Sequence, residues 1–556
     1  MLKKSIMCLA ALAVVALGAT SCKKDVNNEE NGMQFRAIME TGSAKTELSG
    51  TNVNWIAGDE VMIYGTEQSG VYTATPDAEN ATAATLTKVG QPAQGTPYTA
   101  IYPASAAVNA TTVTLPAVQQ SVDGNLANTF PMFAQSESAT LNFKNLCGVL
   151  KIHLQQEGAT VSRISVTANS EINGNFSVDN SGEAPAISYV SDGNFTTTLI
   201  CSEPQNITNG KDFYIYMPAG EYSGLKIMIM NAGYGVEKNA PANAAITIER
   251  SKYSTLSFAN VNMPIPPDNN HQWGLYSVSE TQQVWIAPGN LQFKRVGTYT
   301  GADNQTYTGT WRFAEHQYDF CGVSSGNNSL PGNVEGGDNV NTNGNWYDLF
   351  SWGTSGYAGM SRRPGNTYYY YRNYSTNYIN TLEDFAGTNY DWGVYCIGDG
   401  WRTFTSAECN YLFTGNVGNR GSKHAGATVC GVHGHLLIPD LWNGPNYNRG
   451  DSYTTNVLDA EEWAVMESYG ATFLPVTNTK SGGSTYLDPD AGWYWTTTAN
   501  GWGVYNLPAG DSGVTNNTRK MAHALSFSNN GANATGTREC GGECAVRLIK
   551  NYVPAN

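Results

Sequence analysis

The sequence predicts a mainly β N-terminal half and an α+β C-terminal half. Three observations carry this. Short runs with period-2 alternation, punctuated by Gly, Pro and Asn, fill the chain up to residue 262. A Pro-rich break follows at Met263-Pro264-Ile265-Pro266-Pro267-Asp268. Helical runs with capping residues occur only after it. The 556 residues are enough for several domains, and a 41% hydrophobic content supplies cores, which excludes a disordered chain. Charged residues are only 14%, against 59 Gly and 32 Tyr, as in loop-rich exported β-proteins. The formal charge of −15 argues against nucleic acid or an anionic lipid surface as a main partner.

In the first half, Leu150, Ile152 and Leu154 alternate with Lys151 and His153, and Ile164 and Val166 alternate with Ser165 and Thr167. Phe213, Ile215 and Met217 alternate with Tyr214 and Tyr216. Leu225, Ile227 and Ile229 continue the pattern around Lys226. Asn173-Gly174-Asn175 and Ala219-Gly220-Glu221 read as turns. Trp55 reads as core, Gly58-Asp59 as a turn before a strand Val61 to Tyr64, and His153 as an outward strand residue.

This half resembles the fimbrillin family, the type V pilins and their accessory adhesins. The words that carry the resemblance are Phe35-Arg36-Ala37, Ala44-Lys45-Thr46 and Trp55-Ile56-Ala57-Gly58-Asp59-Glu60-Val61. They continue with Tyr98-Thr99-Ala100-Ile101-Tyr102-Pro103, Thr114-Leu115-Pro116 and the run Phe143 to Ile152. The resemblance implies two tandem transthyretin-like β-sandwiches, at 33–155 and 156–262, with no catalytic residues. It also implies pilin subunits as partners, joined by strand exchange after a protease trims the N-terminal strand. By that analogy Arg36 is a candidate cleavage point, beside the plain reading of an outward strand residue.

After the linker, placed at 263–272, two helices are expected. Thr405-Ser406-Ala407-Glu408 fits a capping box, with Cys409, Leu412 and Phe413 on one face. Asp459-Ala460-Glu461-Glu462 repeats the spacing, with Trp463, Met466 and Tyr469 as its stripe and Gly470 as the stop. Strands are expected at 283–286 and 545–549, among long Asn/Gly loops. This half resembles the C-type-lectin-like domains of bacterial surface proteins, including the sulfatase-modifying-factor-like group, over 273–551. The matching words include Ala287-Pro288-Gly289-Asn290-Leu291-Gln292-Phe293, Trp311-Arg312-Phe313, Gly400-Trp401-Arg402-Thr403 and Tyr494-Trp495-Thr496.

At the start, Lys3 and Lys4 precede an apolar run, Ile6 to Leu17, then small residues and Cys22. This resembles a lipoprotein signal peptide over 1–21, although Ala19 replaces the usual Leu of the lipobox. An ordinary secretory peptide with an incidental Cys22 is the alternative. The run falls short of the ~20 residues that span a bilayer. Cys22 would then carry a diacylglyceryl (palmitate-type) anchor at a Gram-negative outer membrane, on the cell surface, with 22–32 as a tether. Lys23-Lys24-Asp25 resembles a surface-export tag.

No nucleophile elbow, Walker loop or dinucleotide fingerprint occurs. The lectin calcium triplets are missing, so no cofactor is expected. Asp488-Pro489-Asp490 is the nearest calcium candidate, and His433-Gly434-His435 with His424 or Cys430 is the nearest metal candidate. Cys540 and Cys544 are spaced for a disulfide or a metal, with the pairing open. The run Tyr368-Tyr369-Tyr370-Tyr371-Arg372-Asn373-Tyr374 stands out as a ligand-binding candidate, because Tyr offers rigid contact area with a polar tip. Trp502 and Tyr505 form a second candidate. The expectation is a surface adhesin, at a fimbrial tip or accessory, that binds a glycan or a host or bacterial surface protein. The alternatives are a non-pilus glycan-binding lipoprotein and an enzyme related to the modifying factors.

Overall fold

The computed structural model describes residues 34–40, 54–122, 125–126, 130–240, 245–298, 307–323, 330–334, 346–350, 352–353, 384–388, 390–477, 479–481, 484–486, 490–504, 518–540 and 542–554. It is mainly β, with many sheets and few short helices. The chain divides into two compact units. One holds the described parts of 1–41, 53–111 and 131–144. The other holds 112–130 and 145–556.

The first unit is built on a closed barrel. Its strand Phe35–Met39 runs parallel to Thr140–Asn145 and antiparallel to Ala83–Val89. Alternation places Phe35, Ala37 and Met39 inside. Phe35 meets Tyr72 and Tyr98 edge-on at 5.1 and 4.8 Å. Trp55 is buried and packs edge-on against Tyr102 and Phe143, as its reading as core requires. Gly58 takes φ +93° in the turn before Glu60–Tyr64, where the Asp59 carboxylate accepts from the Ile56 amide at 2.9 Å.

The second unit begins with two sheets that share a core of Leu150, Ile152, Ile164, Val166, Phe213 and Ile215. One has Gly148–Leu154 between Lys211–Met217 and Tyr253–Phe258. The other centres on Thr160–Thr167, between Thr196–Asn206 and Lys226–Asn231. His153 points outward and bonds Asp212 at 2.7 Å. Tyr216, assigned by alternation to the outer row, is instead buried. Segment 112–130 covers that row. The Gln119 side chain accepts from the Tyr216 amide at 3.0 Å and donates to its carbonyl at 2.8 Å, and the Phe130 ring lies 5.7 Å from the Tyr216 ring. The stretch read as a turn at Ala219-Gly220-Glu221 runs into a short strand, Gly220–Tyr222, paired with Ile246–Ile248.

The same core continues past the Pro-rich stretch into Trp273, Trp285, Leu291, Trp401 and Ile549. Met263 is buried, and its amide and carbonyl both bond the Gln156 side chain at 2.7 and 2.9 Å. Tyr234 meets Trp285 edge-on at 5.0 Å, and the Arg163 guanidinium lies 3.9 Å from the Tyr469 ring centre. Gly233 and Gly274 form a β-bridge at this seam. A Cβ on Gly274 would lie 2.4 Å from the Gly470 carbonyl oxygen and 2.9 Å from Pro439.

Beyond the seam, Gln283–Ile286 pairs with Leu548–Asn551, which pairs in turn with Trp401–Thr403. The expected strand at 545–549 thus starts only at Leu548. Helix α1, Ser406–Thr414, carries the capping box of Thr405 and Glu408. Helix α2, Ala460–Ser468, carries that of Asp459 and Glu462, and Gly470 follows at φ +82°. Among the described residues no helix is long and apolar enough to cross a membrane.

Gly274→Ala is expected to lower the melting temperature by several degrees, since overpacking at a rigid backbone contact costs roughly 1–3 kcal/mol or more. Calorimetry checks it, and an unchanged melting profile contradicts the close approach.

Candidate functional site

Burial and polarity converge at an open cleft of about 710 Å³ in the second unit. Helix α1 forms one side. The hairpin of Thr518–Ser528 and Gly531–Glu539 forms the other. Its turn, Asn529-Asn530-Gly531, holds Gly531 at φ +127°. Phe413, His424, Trp493 and Phe527 supply aromatic lining. Gly531, Ala532 and Ala534 keep the hairpin side low, and leave the space that larger side chains would fill.

Below the lining, Phe413 meets His424 edge-on at 4.8 Å, and His424 stacks on His435 at 5.1 Å. A hydrogen bond of 3.0 Å joins His424 Nδ1 to His435 Nε2. Between two neutral imidazoles one nitrogen donates and the other accepts. Burial pushes the His435 pKa down to about 3, and burial also lowers that of His424, so both are neutral at pH 7. The pair therefore packs as part of the aromatic floor.

Around the mouth lie Asn410, Thr414, Asp451, Ser528, Asn530 and Asn533. The Thr414 hydroxyl is used by the Asn410 carbonyl at 2.8 Å, and Asn533 Oδ1 accepts from the Thr535 amide at 3.1 Å. Arg538 sits against Trp493, 4.8 Å from its ring centre.

Of the residues singled out from sequence, His424 and His435 lie at the cleft, and the others fall elsewhere. Cys22, the Tyr368–Tyr374 run with Arg372 and Asn373, and Tyr505 lie outside the described residues. Trp502 falls in strand Gly492–Val504, opposite Lys520. Arg36 lies in the barrel strand and forms a two-pronged ion pair with Asp77, which holds that carboxyl below its usual range. Cys544 is fully buried and exchanges backbone hydrogen bonds with Phe350; burial pushes its thiol up to about 12. The Cys540 carbonyl accepts from the Trp352 amide at 3.0 Å. His433 stacks on Tyr453 and bonds Asp490 at 3.3 Å, apart from the His424–His435 pair. Among the described residues no group of three or more His, Cys, Asp or Glu is placed to hold a metal.

Sequence reading missed the cleft. Phe413 was legible only as the buried face of a helix. The available signal was Asn530-Gly531 between alternating runs, which marks a hairpin, followed by small residues at Ala532, Ala534 and Gly536.

No protein-family model matches the chain, and no curated protein matches it. Its similarity to cell-adhesion and fimbrial structures of Bacteroidales is distant. One is a protein assigned to cell adhesion from Bacteroides ovatus, at 12% identity and a TM-score of 0.28, over 42% of this chain and 95% of that one. A second, from Bacteroides uniformis, gives 14% identity and 0.26 over 42% and 94%. A fimbrial protein from Bacteroides ovatus gives 10% identity and 0.21 over 95% and 100%.

The buried His435 fixes a pH dependence. Its folded pKa lies below the unfolded value near 6.5, so its contribution is whole above pH 6.5 and lost as pH falls toward 3. At pH 5 the loss is on the order of 2 kcal/mol. Replacing it by Gln is expected to shrink the drop in melting temperature between pH 7 and pH 5. An equal drop in both proteins contradicts the neutral pair.

Proposed function

We propose that this chain is a cell-surface adhesin, a tip or accessory subunit of a fimbrium, whose C-terminal region holds a glycan in the cleft beside α1. The observation that carries the reading is the cleft itself. Aromatic side chains sit at its base and amide and hydroxyl groups at its mouth. Such a mixture suits a ligand with apolar C–H faces and many hydroxyls. The high pKa values of the buried thiols Cys147, Cys409 and Cys544 weigh against thiol catalysis at those positions.

In this reading Cys22 carries the lipid that anchors the protein at the outer membrane, and 273–551 is a lectin-like domain. The barrel is the part that joins pilin subunits. Strand Phe35–Met39 is hydrogen-bonded on both sides and buries three apolar side chains. A cut after Arg36 would take away Phe35 and leave Ala37 to Met39 attached; displacement of that short stub would leave two open strand edges over an apolar groove, the arrangement that strand addition uses. Arg36 would then mark the cut, once the strand has loosened enough to enter a protease.

A glycan array probed with the full chain tests the adhesive reading. Trp493→Ala should abolish capture while the exposed Thr535→Ala, at the rim, preserves the fold and weakens it only slightly. Absence of any captured glycan sinks the reading. N-terminal sequencing of protein from assembled filaments tests the cut. It should begin at Ala37, and Asp77→Ala should speed cleavage by an Arg-specific protease in vitro. Filament protein beginning only at Cys22 overturns the assignment of Arg36.

A further inference from the structure

We infer that the cleft selects an uncharged saccharide over a sulfated or sialylated one. The inference rests on the glycan reading above and adds the charge class of the ligand. Among the described residues, Asp451 and His424 are the only ionisable side chains lining the cleft. Asp451 is exposed at the mouth, beside the Gly531 turn, where a Cβ would come within 3.2 Å of its carboxylate. Desolvation holds His424 neutral against the weaker pull of Asp451. The His435 beneath it is neutral as well.

Three cations lie near. Arg420 acts on His424 more strongly than Arg449 does, but it is fully buried and bonded to the Leu412 carbonyl and to Asp440. Arg538 lies against the Trp493 ring, 4.8 Å from its centre, without lining the cleft. Arg449 is exposed and acts on His424 through its field, without lining the cleft. Its charge is set against that of Asp451, inside a molecule of net charge −15. An anionic sugar would therefore meet a carboxylate at the mouth with no lining cation to receive it.

The hydrogen-bonding inventory points the same way. Side-chain amides of Asn410, Asn530 and Asn533 and the hydroxyls of Ser526 and Ser528 each donate and accept. Sugar hydroxyls do both and match them. A sulfate or carboxylate only accepts, and would bring no donor to the amide oxygens of Asn410 and Asn530 or to the Asp451 carboxylate on desolvation.

The test is titration of the full chain with neutral hexose and N-acetylhexosamine oligosaccharides and with their sulfated and sialylated counterparts. The neutral set should bind at least about tenfold more tightly, and Asp451→Asn should weaken neutral binding about tenfold, the scale of a hydrogen bond to a charged group. Asn530→Ala, on an exposed turn, should weaken it by several-fold and guards against a misfolded variant. Equal or tighter binding of the anionic set, lost in Trp493→Ala, overturns the charge selection and keeps the adhesive reading. Neutral binding indifferent to Trp493, Asp451 and Asn530 removes the site from this cleft. Failure of every sugar overturns both.

Discussion

The second unit depends on how closely its backbone approaches itself at Gly233, Gly274 and Gly470. A side chain at any of the three would strike backbone or Pro439. The contact leaves no layer of side chains between the segments that meet there. Trp273, Trp285 and Tyr234 then close over it in one apolar cluster, rather than facing solvent on two separate bodies. Burial of rings this large supplies most of the local stabilisation, and its size is sensitive to the spacing the glycines permit. The Pro-rich stretch is drawn into the same packing through Met263 and Gln156.

Past the seam, several small sheets are joined by irregular segments, and buried charge ties those segments down. Arg547, fully buried, donates to the carbonyls of Ala287 and Phe473. Arg420, also buried, donates to the carbonyl of Leu412 and to Asp440. Asp391 collects the amides of Gly387, Gly393 and Thr403 and the Thr403 hydroxyl. Each ties together backbone groups that a loop would otherwise leave without partners. Removing one end of such a set strands several polar groups at once, which makes these residues costlier to change than the surface ion pairs.

Much of the architecture was legible because it is local. Leu150, Ile152 and Leu154 alternate because the pleat does, and the capping boxes at Thr405 and Asp459 bond residues three positions apart. Tyr216 was misread because the segment that covers it is about a hundred residues away in sequence, and periodicity reports one strand's own faces. The cleft was illegible for the same reason. Its walls come from α1, from Asp451, from Trp493 and from the 518–539 hairpin, and no local pattern announces their meeting. What the sequence showed of Phe413 was its burial, which is true and is only half of its position.

The pairing of Leu548–Asn551 between Gln283–Ile286 and Trp401–Thr403 sets an order of events. A strand contributed by residues near 550 sits inside its sheet, and the strand made some 260 residues earlier waits for it. A ribosome that has reached residue 500 has produced every part of the cleft's helix and none of the strand that closes the sheet beside it. The sheet therefore stays open until Leu548–Asn551 has been made, long after both of its neighbours.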